Sequence, residues 1–234
     1  MTSIKKELKV YRDNRITLKK VLDFVLPLPD EGILFGLATD KLPVLFDVKY
    51  AEPSNIVVWD KLYKQGLRLL KVIAEYVFLH RGNASKVEFV VLTHNVEDWG
   101  ELNKYGMGMS GNTSCIGIVP FDSEIANTIV HGLCRWINEA HKSSKFPVIV
   151  LVDGLEYLNK SSDDFKLNFR YLLLKGHNKN VYVIGTASRK NFKEVQEWLE
   201  GFKAEIYGKS ILELFEMMEK DKKIVFLVPE TELI

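Results

Sequence analysis

The sequence predicts an α/β protein of three layers built on a mainly parallel central sheet. Three observations carry this expectation. Short apolar runs alternate with longer stretches of helical spacing along most of the chain. The central runs, above all Phe146-Pro-Val-Ile-Val-Leu-Val152, are apolar at nearly every position, as strands covered on both faces must be. No internal repeat and no low-complexity linker breaks the pattern, so a single core domain is expected.

The elements follow in order. Residues 1–32 read as a lead-in segment or linker, and 33–234 as the domain. The lead-in is rich in Lys and Arg (Lys5, Lys6, Lys9, Arg12, Arg15, Lys19, Lys20), then runs apolar from Val21 to Leu28. Pro27 and Pro29, followed by Asp30, Glu31 and Gly32, mark a turn. Strands are expected at Ile33–Leu37, at Val44–Val48 and at Asn55–Trp59. Leu69, Leu70, Ile73, Ala74, Val77 and Phe78 give Leu67–Leu79 helical spacing. Val87–Leu92 and Ile116–Val119 are the next strands. Ser123 and Glu124 can open a helix to about His141, with a stripe of Ile125, Ile129, Leu133, Trp136, Ile137 and Ala140 facing the core. After the Phe146–Val152 strand come a helix at Phe165–Leu174, a strand at Val181–Ile184 and a helix at Phe192–Phe202. A short strand at Ile206–Tyr207, a core-packed amphipathic helix at Ile211–Met218 and a closing strand at Ile224–Val228 complete the set.

Composition narrows the function classes. The chain has 234 residues, 47% hydrophobic and 27% charged, which is globular rather than disordered or fibrous. The formal net charge of +1 argues against a protein whose main task is to coat a nucleic-acid backbone. Cys115 and Cys134 cannot build a disulfide scaffold and match no zinc spacing. No apolar run approaches the roughly 20 residues that span a bilayer, so any membrane link is expected through another domain or partner.

In open α/β sheets the ligand site lies at the carboxyl ends of the strands. After Val152 comes Asp153-Gly-Leu-Glu156. An apolar strand ending in Asp has the form of a Walker B strand, whose carboxylate holds the Mg²⁺ of a nucleoside triphosphate; an Asp that starts a turn has the same form. The connection Asp60-Lys-Leu-Tyr-Lys-Gln-Gly-Leu67 stands where a phosphate loop would link a strand to a helix. A working loop reads G-x-x-x-x-G-K-[ST]: its glycines let backbone N–H groups close on phosphate, its Lys neutralises charge, and its hydroxyl binds Mg²⁺. Here Asp60 and Gln65 hold the glycine positions, Gly66 the Lys position and Leu67 the hydroxyl position. Lys61, Lys64 and Arg68 carry charge, but at the wrong places. An ordinary strand–helix connection explains the loop equally well.

Together these segments resemble an FtsK/SpoIIIE-type ATPase domain. Phe35-Gly-Leu-Ala-Thr-Asp-Lys-Leu-Pro-Val-Leu-Phe-Asp47 resembles the strand pair that precedes the family's phosphate loop. Pro53–Trp59 resembles the loop's strand, Leu69–Ile73 the helix behind it, and Val148–Asp153 the Walker B strand. Val181–Ile184 with Gly185-Thr-Ala-Ser-Arg189 resembles the following strand, whose end carries a polar sensor and an Arg. Within the family the likeness is greatest to degenerate C-terminal ATPase domains of type VII secretion coupling ATPases of the Firmicutes type, so Met1 need not be the natural start.

The resemblance implies a RecA-like P-loop NTPase fold. It also implies a vestigial nucleotide site of Asp60, Lys61, Lys64, Gln65, Gly66, Leu67, Asp153, Thr186 and Arg189. No catalytic residue, metal or required cofactor is assigned: ATP with Mg²⁺ would bind weakly if at all, because the phosphate-loop residues are replaced and Gly154 stands where active members carry an acid. Arg189 reads as a fossil sensor or, preferably, a salt-bridge partner. The implied setting is the cytoplasmic face of the cell membrane, within a membrane-anchored secretion motor. The implied partners are neighbouring ATPase domains and secreted helical-hairpin substrates or their adaptors. A conditionally active ATPase domain and an FtsK-type DNA-translocase subunit are the competing readings.

Other signals carry less. Gly106-Met-Gly-Met-Ser-Gly111 matches G-x-G-x-x-G but lacks the strand before it and the helix after it, and reads as a surface loop. The histidines show no ligand spacing. The sequons at Asn83, Asn112 and Asn159 mean nothing without a secretion signal.

Overall fold

The computed structural model describes residues 16–29, 32–48, 55–62, 64–79, 87–100, 102, 114–139, 146–211, 213–219 and 221–232. The basic arm before Ile16, the sequons at Asn83 and Asn112, and the Gly106–Gly111 segment lie outside them.

Among the described residues ten strands form one sheet: β1 (Gly32–Ala38), β2 (Pro43–Asp47), β3 (Ile56–Asp60), β4 (Glu88–Thr93), β5 (Cys115–Pro120), β6 (Val148–Asp153), β7 (Val181–Ser188), β8 (Ala204–Gly208), β9 (Leu214–Glu219) and β10 (Lys222–Leu227). Their spatial order is β2-β1-β10-β9-β8-β3-β7-β6-β4-β5. From β8 to β5 every pairing is parallel. From β8 to β2 every pairing is antiparallel. The expected α/β architecture is therefore present, with an antiparallel extension on one side.

Among the described residues the helices used below are α1 (Leu18–Val25), α2 (Gln65–Leu79), α3 (Glu124–Glu139), α4 (Asp163–Lys175) and the short α5 (Phe192–Val195). Period-two alternation in the strands builds two cores. Ile56 and Val58 of β3 join α1 and α2 on one face. Val57 and Trp59 join α3, α4 and α5 on the other. Helix α2 buries residues almost all round, because the sheet, the β1–β2 arm and α1 enclose it. Helix α4 starts where the Ser162 side chain accepts the Phe165 N–H at 3.2 Å, with Asp163 and Asp164 in its first turn. Ser123 likewise accepts the Ala126 N–H at 3.0 Å and opens α3 as expected.

Several expectations need correction. Residues Ile211–Met218, expected as a helix, contribute strand β9. Its Leu214 and Phe215 are buried, while Met218 is 57% exposed. Pairing with β8 and β10 on both sides overrides a local pattern too short to separate a helix from a strand. The expected helix at Phe192–Phe202 is one α-turn followed by 3₁₀ turns. The core also begins before Ile33, since Leu18, Val21 and Leu22 of α1 are buried in it. On α3, Ile125 is 48% exposed and the buried face is Ala126, Val130, Leu133, Cys134 and Ile137.

Candidate functional site: the connection after strand β3

Parallel pairing brings the carboxyl ends of β3, β4, β6 and β7 to one edge of the sheet. Asp60 ends β3, Thr93 ends β4, Asp153 ends β6, and Thr186 lies near the end of β7.

The connection from β3 to α2 closes on itself. Gly66 N–H donates to the Asp60 carboxylate. Gln65 is fully buried, and its Oε1 accepts the N–H groups of Lys61 and Leu62 at 3.4 and 3.2 Å. Its Nε2 donates to the carbonyls of Lys209, Ile211 and Leu214 at 3.3, 2.9 and 3.1 Å. The carboxamide thus ties the loop to the β8–β9 connection. A Cβ at Gly208 would overlap it, so glycine is required there for close approach. A Cβ at Gly66 would stand 2.6 Å from Asp60 Oδ1 and 2.6 Å from Thr186 Cγ2.

Asp60 titrates far from its ordinary range. Burial pushes its carboxyl up to about 7; the Gly66 N–H opposes this, while Glu156 and Asp153 add to it. Asp153 is 6% exposed. Its Oδ2 accepts the Thr93 hydroxyl at 2.8 Å and lies 3.9 Å from His94 Nδ1. Burial raises the Asp153 carboxyl as well, against the Thr93 hydrogen bond and the His94 charge. The His94 ring stacks on Tyr157, with centroids 4.2 Å apart.

The backbone geometry after Asp153 accounts for Gly154. Its φ is +92°, its N–H donates to Thr186 Oγ1 at 2.8 Å, and a Cβ would come 2.5 Å from the Tyr157 ring. The strand therefore turns through a conformation suited to glycine. Glu156 is held off to one side, accepting from Asn191 Nδ2 at 2.9 Å.

The structure brings Asp60, Gln65, Gly66, Asp153 and Thr186 together and separates the other sequence candidates. Lys61 is exposed. Lys64, at φ 56°, pairs with Asp98 at 2.6 Å. Leu67 is buried in the core. The Arg189 guanidinium lies 4.7 Å from the centroid of the Tyr207 ring. Among the described residues Arg189 makes no ion pair, so the expected salt-bridge role is corrected to a cation–π contact. Sequence reasoning missed Thr93, His94 and Tyr157; the only signal was their place after an apolar strand.

These residues do not fit a Mg²⁺-nucleotide. The N–H groups of Lys61, Leu62 and Gly66 are directed at protein oxygens of Gln65 and Asp60, so none of the three is free to close on a phosphate. No group of three His, Cys, Asp or Glu side chains among the described residues is disposed to hold a metal ion.

No protein-family model and no curated protein matches the sequence. Solved structures do match. EssC (ATPases 2 and 3) of Geobacillus thermodenitrificans superposes with a TM-score of 0.68 at 12% identity, over 94% of this chain and 45% of that one. The chain has the fold of these ATPase units. EccC (ATPases 2 and 3) of Thermomonospora curvata, in complex with a signal sequence peptide, gives 0.63 at 13% identity, over 86% and 41%. TcpA, the pCW3 conjugation coupling protein with ATPγS, gives 0.61 at 11% identity, over 89% and 68%. The chain thus spans less than half of the EssC and EccC structures, each of which comprises two ATPase units. No helix among the described residues is long and apolar enough to cross a membrane.

Proposed function

We propose that this chain is a degenerate ATPase-like domain of a type VII protein-secretion motor, acting by contact rather than by hydrolysis. One observation carries the reading: Asp60 and Gln65 accept the loop N–H groups that a phosphate would need. Phosphoryl transfer depends on preorganised positive charge and donors around the transferring group, and here those donors are turned inward. On this reading Asp60, Lys61, Lys64, Gln65, Gly66, Leu67, Asp153, Thr186 and Arg189 are the remains of a nucleotide site. Residues 33–234 form the ATPase-like domain, to which α1 contributes core. The partners are neighbouring ATPase domains of the motor and secreted helical-hairpin proteins or adaptors. The motor is anchored in the membrane through other parts of a longer chain, with this domain on the cytoplasmic face.

Calorimetric titration with ATP and Mg²⁺, beside a thermal-shift series, tests the reading. The expected result is neither saturable heat nor a melting temperature that climbs with ligand concentration. ATP turnover abolished by Asp153→Ala would overturn it in favour of a conditionally active ATPase. Salt-sensitive DNA binding would favour a translocase subunit instead.

A further inference from the structure

Residues 228–232 follow β10 and belong to no strand of the sheet. They lie against helix α2, whose side chains hold them at both ends. Arg68 Nε donates to the Val228 carbonyl at 3.3 Å. Both carboxylate oxygens of Glu75 accept the Glu232 N–H at 3.0 Å. Arg68 and Glu75 stand on one face of the helix, two turns and about 10 Å apart along its axis. The four residue steps from Val228 to Glu232 cover about 13 Å when extended, so the segment runs along α2 rather than across it. Residues 16–18 close the other side. Glu230 bridges Thr17 in parallel register: its N–H donates to the Ile16 carbonyl at 2.9 Å, and its carbonyl accepts the Leu18 N–H at 2.7 Å.

This channel holds a peptide by its backbone. A guanidinium meets a carbonyl, a carboxylate meets an N–H, and a β-bridge lies between them. Glu75 is 1% exposed, and a carboxylate buried to that degree is tolerated only where donors reach it. Side chains of the segment enter at two places. Val228 and Pro229 are buried, and the proline arrives with its φ already set and no N–H to satisfy. Glu230 brings a negative charge to Arg68, whose Nη1 also lies 3.8 Å from Glu213. Beyond Pro229 little apolar surface is covered: Glu230 and Thr231 are half-buried and Glu232 is exposed.

We propose that this face of α2 is a docking site for an extended segment of a partner protein, in which an apolar residue and a proline precede an acidic residue. Residues 228–232 occupy it as an internal stand-in that such a partner displaces. Release breaks the bonds of 228–232 and leaves the ten strands paired, so it costs less than global unfolding. Asp60, Asp153 and Thr186 bond elsewhere, so the site is independent of the nucleotide-site remains.

A fluorescein-labelled peptide copying residues 226–234 probes the site by anisotropy. In the parent chain the internal segment competes with it. Glu230→Pro removes the N–H that pairs with Ile16 and loosens that competitor. A rise in the open fraction from about 1% to about 10% tightens peptide binding about tenfold, and that gain is the expected result. Arg68→Met in the same background keeps an apolar stem, loses the donor and should cancel the gain. Amide exchange of the unaltered chain gives a second reading that needs no variant. The amides of Leu18, Glu230 and Glu232 should exchange at rates insensitive to low urea, while those of β6 follow global unfolding. Absence of saturable binding to Glu230→Pro overturns the proposal, and so does binding indifferent to Arg68→Met. Exchange of the three amides with the urea dependence of β6 also overturns it, since the segment would then leave only with the fold. Protection of those amides that grows with protein concentration overturns it in favour of a second copy's segment.

Discussion

The carboxylate of Asp60 accepts the backbone N–H of Gly66 where helix α2 begins. A buried acid at this place has a folded pKa of about 7, raised from 3.8. Between those values the folded chain keeps a proton that the unfolded chain has lost. Stability from this group is therefore full below about pH 4 and declines as pH rises through 7. Asp60→Asn should match the parent at pH 4 and exceed it at pH 8, by on the order of 2–4 kcal/mol at most. Urea unfolding midpoints measured from pH 4 to 8 give the comparison. Parallel curves would show that Asp60 is not the titrating group.

Gly66 is wedged between Asp60 and Thr186. Gly66→Ala should destabilise the fold by about 1–3 kcal/mol through overpacking. Thr186→Ser removes Cγ2 but keeps the hydroxyl that accepts the Gly154 N–H. It should relieve part of the cost, and a double-mutant cycle measures the coupling. Simple additivity would mean that the two residues are not packed as described.

Gln65 satisfies two N–H groups and three carbonyls from inside the protein. Gln65→Leu fills similar space without pairing any of them. The expected loss is about 2–4 kcal/mol, since buried polar groups left unpaired cost more than a hydrogen bond contributes. Amide exchange should quicken at Lys61 and Leu62 beyond the global effect. A neutral substitution would count against the clamp.

Burial pushes the Cys115 thiol up to about 12 and Cys134 up to about 11. The thiolate is the reactive form. Neither cysteine should react with an aromatic disulfide reagent at pH 8 in the native state, and both should react in urea. A fast native-state reaction at one of them would mark a local opening.

The parallel half of the sheet was legible because each strand there is a compact apolar run bounded by turn residues. Val148–Asp153, buried at every position, is the plainest case. The antiparallel extension was harder. In β9, Glu216 interrupts the apolar pattern and pairs with Lys209 and Lys223 at 2.7 and 2.6 Å, a cross-strand arrangement invisible to local spacing. At the candidate site, the replaced loop residues could be read from the sequence. The partners that close the loop could not, because Gln65 takes its carbonyl partners from Lys209, Ile211 and Leu214, far along the chain. The Tyr207 ring beside Arg189 could not be read from the sequence, because only the fold brings the two together.

The strand order also bears on how the chain is made. Strand β3 is complete at Asp60, yet its neighbours β7 and β8 begin at Val181 and Ala204. Strand β1 gains its inner neighbour only at β10, near the end of the described chain. As the polypeptide leaves the ribosome, Ile56-Val-Val-Trp59 and Ile33–Leu37 are apolar edges with no inner partner until late in synthesis. Loop closure over such separations is slow, and open apolar strands are where nascent chains aggregate. This topology leaves both edges open from their own synthesis until residues 181–227 have emerged, so protection by a holdase chaperone matters most while the stretch between Asp60 and Val181 is being made.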